Sequence, residues 1–320
     1  AADQAHALLG FKGKISVIKQ GNVPKCQLGV KKGNQSHRGR IIPWIPVRAR
    51  DGCAGTDNPA MYLSRRQWVT AMATLPLLQG TRAAGRQLEV FDEVWHDVSR
   101  QRDMPVKVRW PDAAVFTGMR PVVLFSHGLG GTTDGGEVWG KAWAEAGFVV
   151  VHLQHPGSDL AAVRSVTDTF ADKAALRRAA SPAQLLARLR DVSFALDEIG
   201  RRQAAGQTRW RDVRPDRIGM SGHSFGAHTT LGMAGQRYPG FEGVNEPRLA
   251  AFVAFSPSPP VAGSASQAFS RLTRPLLSIT GTLDSDVAGT GATPERRMAV
   301  FDALPVGHKA HLVLAHADHM

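Results

Sequence analysis

From about residue 86 onward, the hydrophobic pattern switches repeatedly between two periods. Residues 121–126 (Pro-Val-Val-Leu-Phe-Ser) and 148–153 are short continuous apolar runs, the pattern of strands buried on both faces. Residues 87–95 and 105–110 read as an antiparallel opening pair, and further strands are expected at 216–220, 250–255, 276–280 and 311–315. Between them, 137–146 reads as a helix closed by Gly147, with further helices at 227–235 and 294–303. Residues 159–200 are helical in character. In the second half, from 182 to 199, Leu185, Leu186, Leu189, Val192 and Leu196 recur at helical spacing, which predicts a helix packed on the sheet. The first half, about 159–180, is expected to form a small helical cap. Strands alternating with helices predict an α/β fold with a mostly parallel central sheet flanked by helices.

One junction in this pattern carries chemistry. Gly222-His223-Ser224-Phe225-Gly226 follows the strand expected at 216–220 and precedes the helix expected at 227–235. G-x-S-x-G in that context is a nucleophile elbow, whose glycines make room for a sharp turn packed between strand and helix. A serine hydroxyl needs a base to accept its proton, usually a histidine oriented by a carboxylate. Downstream of Ser224, the strand at 276–280 runs into Gly281-Thr282-Leu283-Asp284-Ser285-Asp286, which makes Asp284 the candidate acid and Asp286 the runner-up. The last strand leads into His316-Ala317-Asp318-His319-Met320, where His316 and His319 both qualify as the base by position. An oxyanion needs backbone N–H donors. Phe225 would supply one, and Leu129, in His127-Gly128-Leu129-Gly130-Gly131 after the strand at 121–126, the other.

Composition narrows the reading. The 320 residues carry a net charge of +12 and are 43% hydrophobic, enough apolar content for a substantial core. Residues 1–60 contribute +7 of that charge and residues 61–83 a further +3, leaving +2 for residues 84–320. The basicity belongs to the amino-terminal stretch, so no nucleic-acid-binding face is expected on the folded part. Cys26 and Cys53 also lie in that stretch, so residues 84–320 contain no cysteine nucleophile, disulfide or thiolate metal site. No apolar run is long enough to span a bilayer. Residues 1–60 show no sustained periodicity and read as an unstructured or non-native leader. Within residues 61–83, Ser64-Arg65-Arg66 precedes a moderately apolar segment and Thr81-Arg82-Ala83, the features of a twin-arginine export signal. An exported protein, periplasmic or secreted, is therefore expected, with 84–320 as its catalytic domain.

Phe125-Ser126-His127-Gly128-Leu129-Gly130, Gly222-His223-Ser224-Phe225-Gly226, Gly281-Thr282-Leu283-Asp284 and Ala317-Asp318-His319-Met320 resemble the α/β-hydrolase superfamily. The likeness extends over about residues 88–320. It is nearest to dienelactone-hydrolase-like serine hydrolases and the platelet-activating-factor acetylhydrolase group. The resemblance implies Ser224 as nucleophile, Asp284 as acid and His319 rather than His316 as base, with Leu129 and Phe225 as oxyanion donors. Dienelactone hydrolases themselves use a cysteine nucleophile, so their lactone substrate does not carry over to a chain with Ser224. Relatives also continue beyond the histidine, so a further terminal helix is expected in the full protein.

The resemblance implies a serine esterase that needs no cofactor and no metal, acting on short-acyl, phospholipid-type or polyester substrates. The competing readings are an amidase or peptidase on the same fold and a non-catalytic binding module. A metal-dependent hydrolase using His316, Asp318 and His319 lacks any supporting ligand spacing. If residues 61–83 are an export signal, amino-terminal sequencing of the exported protein will begin just after Ala83; a start within residues 1–60 would refute the signal.

Overall fold

The computed structural model describes residues 15–19, 88–114, 116–164, 173–260, 262–285 and 291–319. Among them, nine strands form one sheet: β1 (Ile15–Lys19), β2 (Glu89–Asp97), β3 (Arg102–Trp110), β4 (Arg120–Ser126), β5 (Val149–Leu153), β6 (Val213–His223), β7 (Leu249–Phe255), β8 (Leu276–Gly281) and β9 (Lys309–Leu314). Their order is β1-β9-β8-β7-β6-β4-β5-β3-β2. The block from β9 to β5 is parallel, while β3 joins β5, β2 joins β3 and β1 joins β9 antiparallel.

The helices are α1 (Glu137–Glu145), α2 (Leu160–Val163), α3 (Lys173–Ala179), α4 (Pro182–Ala204), α5 (Phe225–Met233), α6 (Ala265–Phe269) and α7 (Pro294–Asp302). Ser181, Ser264 and Thr293 cap α4, α6 and α7 by accepting from backbone N–H groups of the first turn. Pro182 and Pro294 each open a helix where no N–H is needed.

Strand alternation divides the core into two layers. Val122, Leu124, Val149, Val151 and Met220 face Leu189, Val192, Leu196 and Ile199 of α4 and Leu231 of α5. Val123, Phe125, Val150, Val253 and Ile279 face the other way, with Trp143 of α1. The central strands are apolar at successive positions because both sides are covered. At the sheet's far end, Trp210 meets Trp95 and Trp110 edge-on, with ring centroids 5.6 and 5.4 Å apart, which ties the β2–β3 hairpin to the sheet.

The order places consecutive strands on opposite sides of one gap. From β4 the chain crosses to β5 on one side and then returns to β6 on the other. Such a switch point leaves a crevice at the carboxyl ends of the two strands, where parallel sheets bind ligands. The loop after β4 and the turn after β6 both emerge there.

The expected elements form, with boundaries moved by a few residues. The cap region contains α2 and α3, and residues 165–172 between them lie outside the described residues. Two elements were not foreseen. The short α6 has too few apolar positions to show a helical period. β1 falls within residues 1–60, the stretch read as an unstructured or non-native leader: Ile15, Val17 and Ile18 are β-branched, and five residues complete a ladder on the open edge of β9. The export-signal segment 61–83 lies outside the described residues.

Leu196, 2% exposed, anchors α4 to one face of the sheet. Leu196→Ala will lower unfolding stability in urea by about 2–5 kcal/mol, through lost burial plus the cavity left behind.

Candidate functional site

β6 ends by driving directly into α5, and the residue between them is Ser224. It sits at φ 55° and ψ −112°, a conformation that costs a non-glycine residue energy and holds its side chain clear of strand and helix. Packing enforces the turn. A Cβ on Gly226 would collide with the carbonyl oxygen of Ser126, and a Cβ on Gly222 with that of Gly226, so neither glycine tolerates a side chain. The Ser224 N–H donates to Phe255 O at 3.0 Å, pinning the turn to the end of β7.

The three sequence-predicted residues from distant segments come together here. His319 Nε2 lies 3.0 Å from Ser224 Oγ, and His319 Nδ1 lies 2.8 Å from Asp284 Oδ1. Neutral imidazole with its proton on Nδ1 satisfies both contacts: Nδ1–H donates to the carboxylate and Nε2 accepts from the hydroxyl. His316, the positional alternative, instead adopts φ 63° and donates its backbone N–H to Thr282 Oγ1 at 2.8 Å. It shapes the loop rather than reaching Ser224. Asp286, the alternative acid, lies outside the described residues.

Asp284 is fully buried. Burial raises its pKa, but hydrogen bonds from His319 and Thr280, together with the charge of Arg297, outweigh it and hold the carboxyl at about 2. Thr280 Oγ1 donates to Oδ2 at 2.7 Å. Arg297, from α7, places Nε 3.0 Å from both the side-chain Oδ1 and the backbone oxygen of Asp284. Its Nη1 donates to Ser256 O at 2.5 Å and Ser258 Oγ at 2.9 Å. One cation therefore spans the ends of β7 and β8. The histidine loop is fastened to the acid's turn by Leu283 N–H donating to Ala317 O at 2.9 Å and Thr282 N–H to Leu314 O at 3.0 Å. A Cβ on Gly281 would strike Ala317 O, so this close approach needs glycine.

The loop after β4 closes the other side. A Cβ on Gly128 would lie 3.6 Å from Ser224 Cβ, so the stretch carrying Leu129 passes directly beside the serine. Phe225 N–H stands at the first position of α5, where the helix leaves its amides unpaired and its positive end favours an anion. The ring of His223 lies against that of His319, centroids 4.7 Å apart. Burial, reinforced by His319, drives the His223 pKa down to about 3, so it packs beside His319 as an uncharged ring.

Beneath this loop lies a second Ser–His–Asp chain that the sequence reading did not identify. Ser126 Oγ is 2.9 Å from His155 Nε2, and His155 Nδ1 is 2.9 Å from Asp191 Oδ2. All three side chains are fully buried. Burial and the charge of Arg188 lower the His155 pKa to about 4, so the ring is neutral. Burial would raise the Asp191 pKa, yet His155 and Arg102 hold it at about 2. Arg102 Nε and Arg100 Nη1 both donate to Asp191 Oδ1 at 2.8 Å. With no face open to solvent, this chain is a structural brace. The sequence held one clue to it: Arg188 and Asp191 interrupt the apolar stripe of α4. Among the described residues, no group of three or more His, Cys, Asp or Glu is arranged to hold a metal ion, and no helix is long and apolar enough to cross a membrane.

The Asp284 carboxyl has a folded pKa of about 2 against an ordinary 3.8. Its contribution to stability is thus complete above pH 4 and fades as pH falls toward 2. Asp284→Asn removes that contribution. The stability gap between wild type and D284N in urea titrations, about 2 kcal/mol at neutral pH, will narrow between pH 4 and 2; a constant gap would contradict the assignment.

No protein-family model and no curated protein matches the sequence. Solved structures do resemble it. A cold-adapted esterase from an Arctic intertidal metagenomic library superposes with a TM-score of 0.50 at 16% identity, covering 75% of this chain and 90% of the other. A ferulic acid esterase from Anaeromyces mucronatus gives 0.50 at 15% identity, covering 75% and 88%. A candidate dipeptidyl aminopeptidase IV from Bacteroides ovatus gives 0.46 at 15% identity over 73% of this chain, which spans 33% of that protein's length. At such identities the likeness speaks to architecture. The parallel sheet, the elbow at its switch point and the superpositions on the two esterases together identify the chain as an α/β-hydrolase fold.

Proposed function

We propose that this chain is a serine hydrolase that cleaves carboxylic esters through an acyl-enzyme intermediate. The observation that carries the reading is the continuous hydrogen-bonded path from Ser224 through His319 to Asp284, with Ser224 half-buried at the switch point between β4 and β6 and Asp284 sealed from water. Two of the solved structures that share the fold are named as esterases, which supports ester hydrolysis as the reaction class.

In the first half-reaction, Ser224 Oγ attacks the ester carbonyl carbon while His319 Nε2 takes its proton. Asp284, ionised throughout, stabilises the imidazolium and keeps the ring's other proton on Nδ1. Charge building on the carbonyl oxygen is met by the N–H groups of Leu129 and Phe225. The imidazolium then gives its proton to the departing alkoxide oxygen, the C–O bond breaks, and an acyl group remains on Ser224. In the second half-reaction, water attacks the acyl carbon as His319 accepts a proton from it. The imidazolium returns that proton to Ser224 Oγ as the acid product leaves. Every step is acid–base and nucleophilic chemistry by side chains of this chain.

The substrates are small esters, with short-acyl, phospholipid-type and polyester forms as the classes to compare. The Ser64-Arg65-Arg66 segment supports action outside the cytoplasm.

Ser224→Ala and His319→Gln will each lower kcat on p-nitrophenyl butyrate by on the order of 10⁴-fold or more, with little change in thermal stability. A fluorophosphonate will label wild type at Ser224 and fail to label S224A. Full turnover by S224A would sink the reading. Cleavage of the matching anilide at a comparable rate would move it to an amidase, and absence of both turnover and labelling in wild type would leave a binding module.

A further inference from the structure

Arg188 lies in the first half of α4, a helix that buries apolar side chains apart from this residue and Asp191, and is itself fully buried. A guanidinium taken out of water is costly unless its donors are satisfied. Here they are spent on the backbone of the loop beside Ser224. Nη1 donates to His127 O at 2.6 Å, Nη2 to Gly128 O at 3.2 Å and to Ser158 O at 3.3 Å, and Nε to Ser158 Oγ at 2.8 Å. Ser158 O also accepts from Gly130 N–H at 2.9 Å, so the arginine grips the loop directly and through its neighbour. The guanidinium carbon further sits 4.4 Å from the centroid of the Phe225 ring.

The Gly128 carbonyl is the centre of this arrangement. Besides Arg188 it accepts from Gly131 N–H at 3.2 Å and lies 2.6 Å from His127 Nδ1. The tautomer of His127 follows from its other nitrogen: Nε2 accepts the His155 backbone N–H at 3.1 Å, so the proton is on Nδ1 and is donated to Gly128 O. Three donors therefore converge on one oxygen. The peptide joining Gly128 to Leu129 is planar and trans, so its C=O and N–H point in opposite directions. Clamping the oxygen on the α4 side turns the Leu129 N–H away from α4, on a stretch of loop that runs beside Ser224. A cation on the oxygen also draws electron density along the peptide and strengthens its N–H as a donor.

We infer that Arg188 is a positioning residue for the oxyanion site: by clamping the Gly128 carbonyl and packing on Phe225, it aims and polarises the backbone amides that receive the oxyanion. This rests on the serine-hydrolase reading above, and it assigns a role to a residue that touches neither substrate nor Ser224. Because the oxyanion exists only as the transition state is approached, losing the clamp should slow acylation while leaving ground-state binding nearly intact.

The test uses the full chain with Arg188→Met, of similar length but without donors, and Arg188→Lys, which keeps charge but not the fork. For each variant, kcat and KM on p-nitrophenyl butyrate are measured per site, counted by complete fluorophosphonate labelling. The Ki of an alkyl trifluoromethyl ketone, which forms a tetrahedral oxyanion on Ser224, is measured beside them. For R188M, kcat per site is expected to fall about 10- to 100-fold, short of or reaching the loss of a whole oxyanion donor. KM should stay within about threefold, and the ketone Ki should rise in step with the loss in kcat. R188K should fall between R188M and wild type. A merely structural arginine would lower the labelled fraction and leave kcat per labelled site and Ki unchanged, which would overturn the inference. If R188M does not accumulate folded, R188K and Ser158→Ala, which removes the partner of Nε, decide the matter. A several-fold parallel change in kcat and Ki supports the clamp, and no change in either overturns it. Failure of the underlying reading would look different, as undiminished turnover by S224A.

Discussion

The approach of Gly226 to the Ser126 carbonyl is the constraint from which the rest of the site follows. It brings the turn after β6 against the end of β4 with no room for a single methyl group. That contact forces Ser224 into positive φ and sets Gly128 beside it. The same contact aligns the start of α5 with the crevice between β4 and β6. The strand order makes such closeness available, because β4 and β6 are neighbours in the sheet while β5 lies on the far side of β4. The placement of Ser224 and that of the loop are thus consequences of one packing decision.

Around that contact, buried charge does the holding. Arg297 spans the ends of β7 and β8 and adds its charge to the His319 and Thr280 hydrogen bonds that keep Asp284 ionised. Arg188 binds the carbonyls of the loop on the opposite side of Ser224. Each arginine is nearly or fully buried and each directs its donors largely at backbone oxygens. Backbone carbonyls in irregular loops must find donors when they leave water, and a guanidinium supplies several in one rigid fork. The two sides of the site are rigid for the same physical reason, although they are built from unrelated segments.

The two Ser–His–Asp chains show how far environment, rather than residue identity, determines role. Ser224–His319–Asp284 lies at the switch point with Ser224 only half-buried, the setting that the proposed attack on a substrate carbonyl needs. Ser126–His155–Asp191 has the same atoms at nearly the same spacings, but each member is sealed and Arg102 and Arg100 saturate the carboxylate. Its hydroxyl has nothing to attack. It instead braces α4 against the end of β4 and so supports the loop above it.

Much of this was legible in one dimension because it depends on local rules. Continuous apolar runs mark strands covered on both faces, and the elbow is written in five adjacent residues because its sterics act between immediate neighbours. Asp284 and His319 could be placed at strand ends, but spacing alone did not separate His319 from His316. The resemblance favoured His319, and the loop's three-dimensional path supplies a physical reason: His316 takes the left-handed turn and presents its amide to Thr282. Arg188, Asp191 and His155 were unreadable as a group because their partners lie some 30 to 90 positions away, and those of Arg188 are largely backbone atoms, which leave no mark in side-chain identity. The sequence by itself determined the alternation of elements, the turn that strains Ser224 and the residue types able to move a proton. Tertiary structure alone decided which of those residues meet and which hydroxyl faces an opening. The reason is that hydrogen bonding and desolvation depend on distances in space, which chain order constrains only over a few residues.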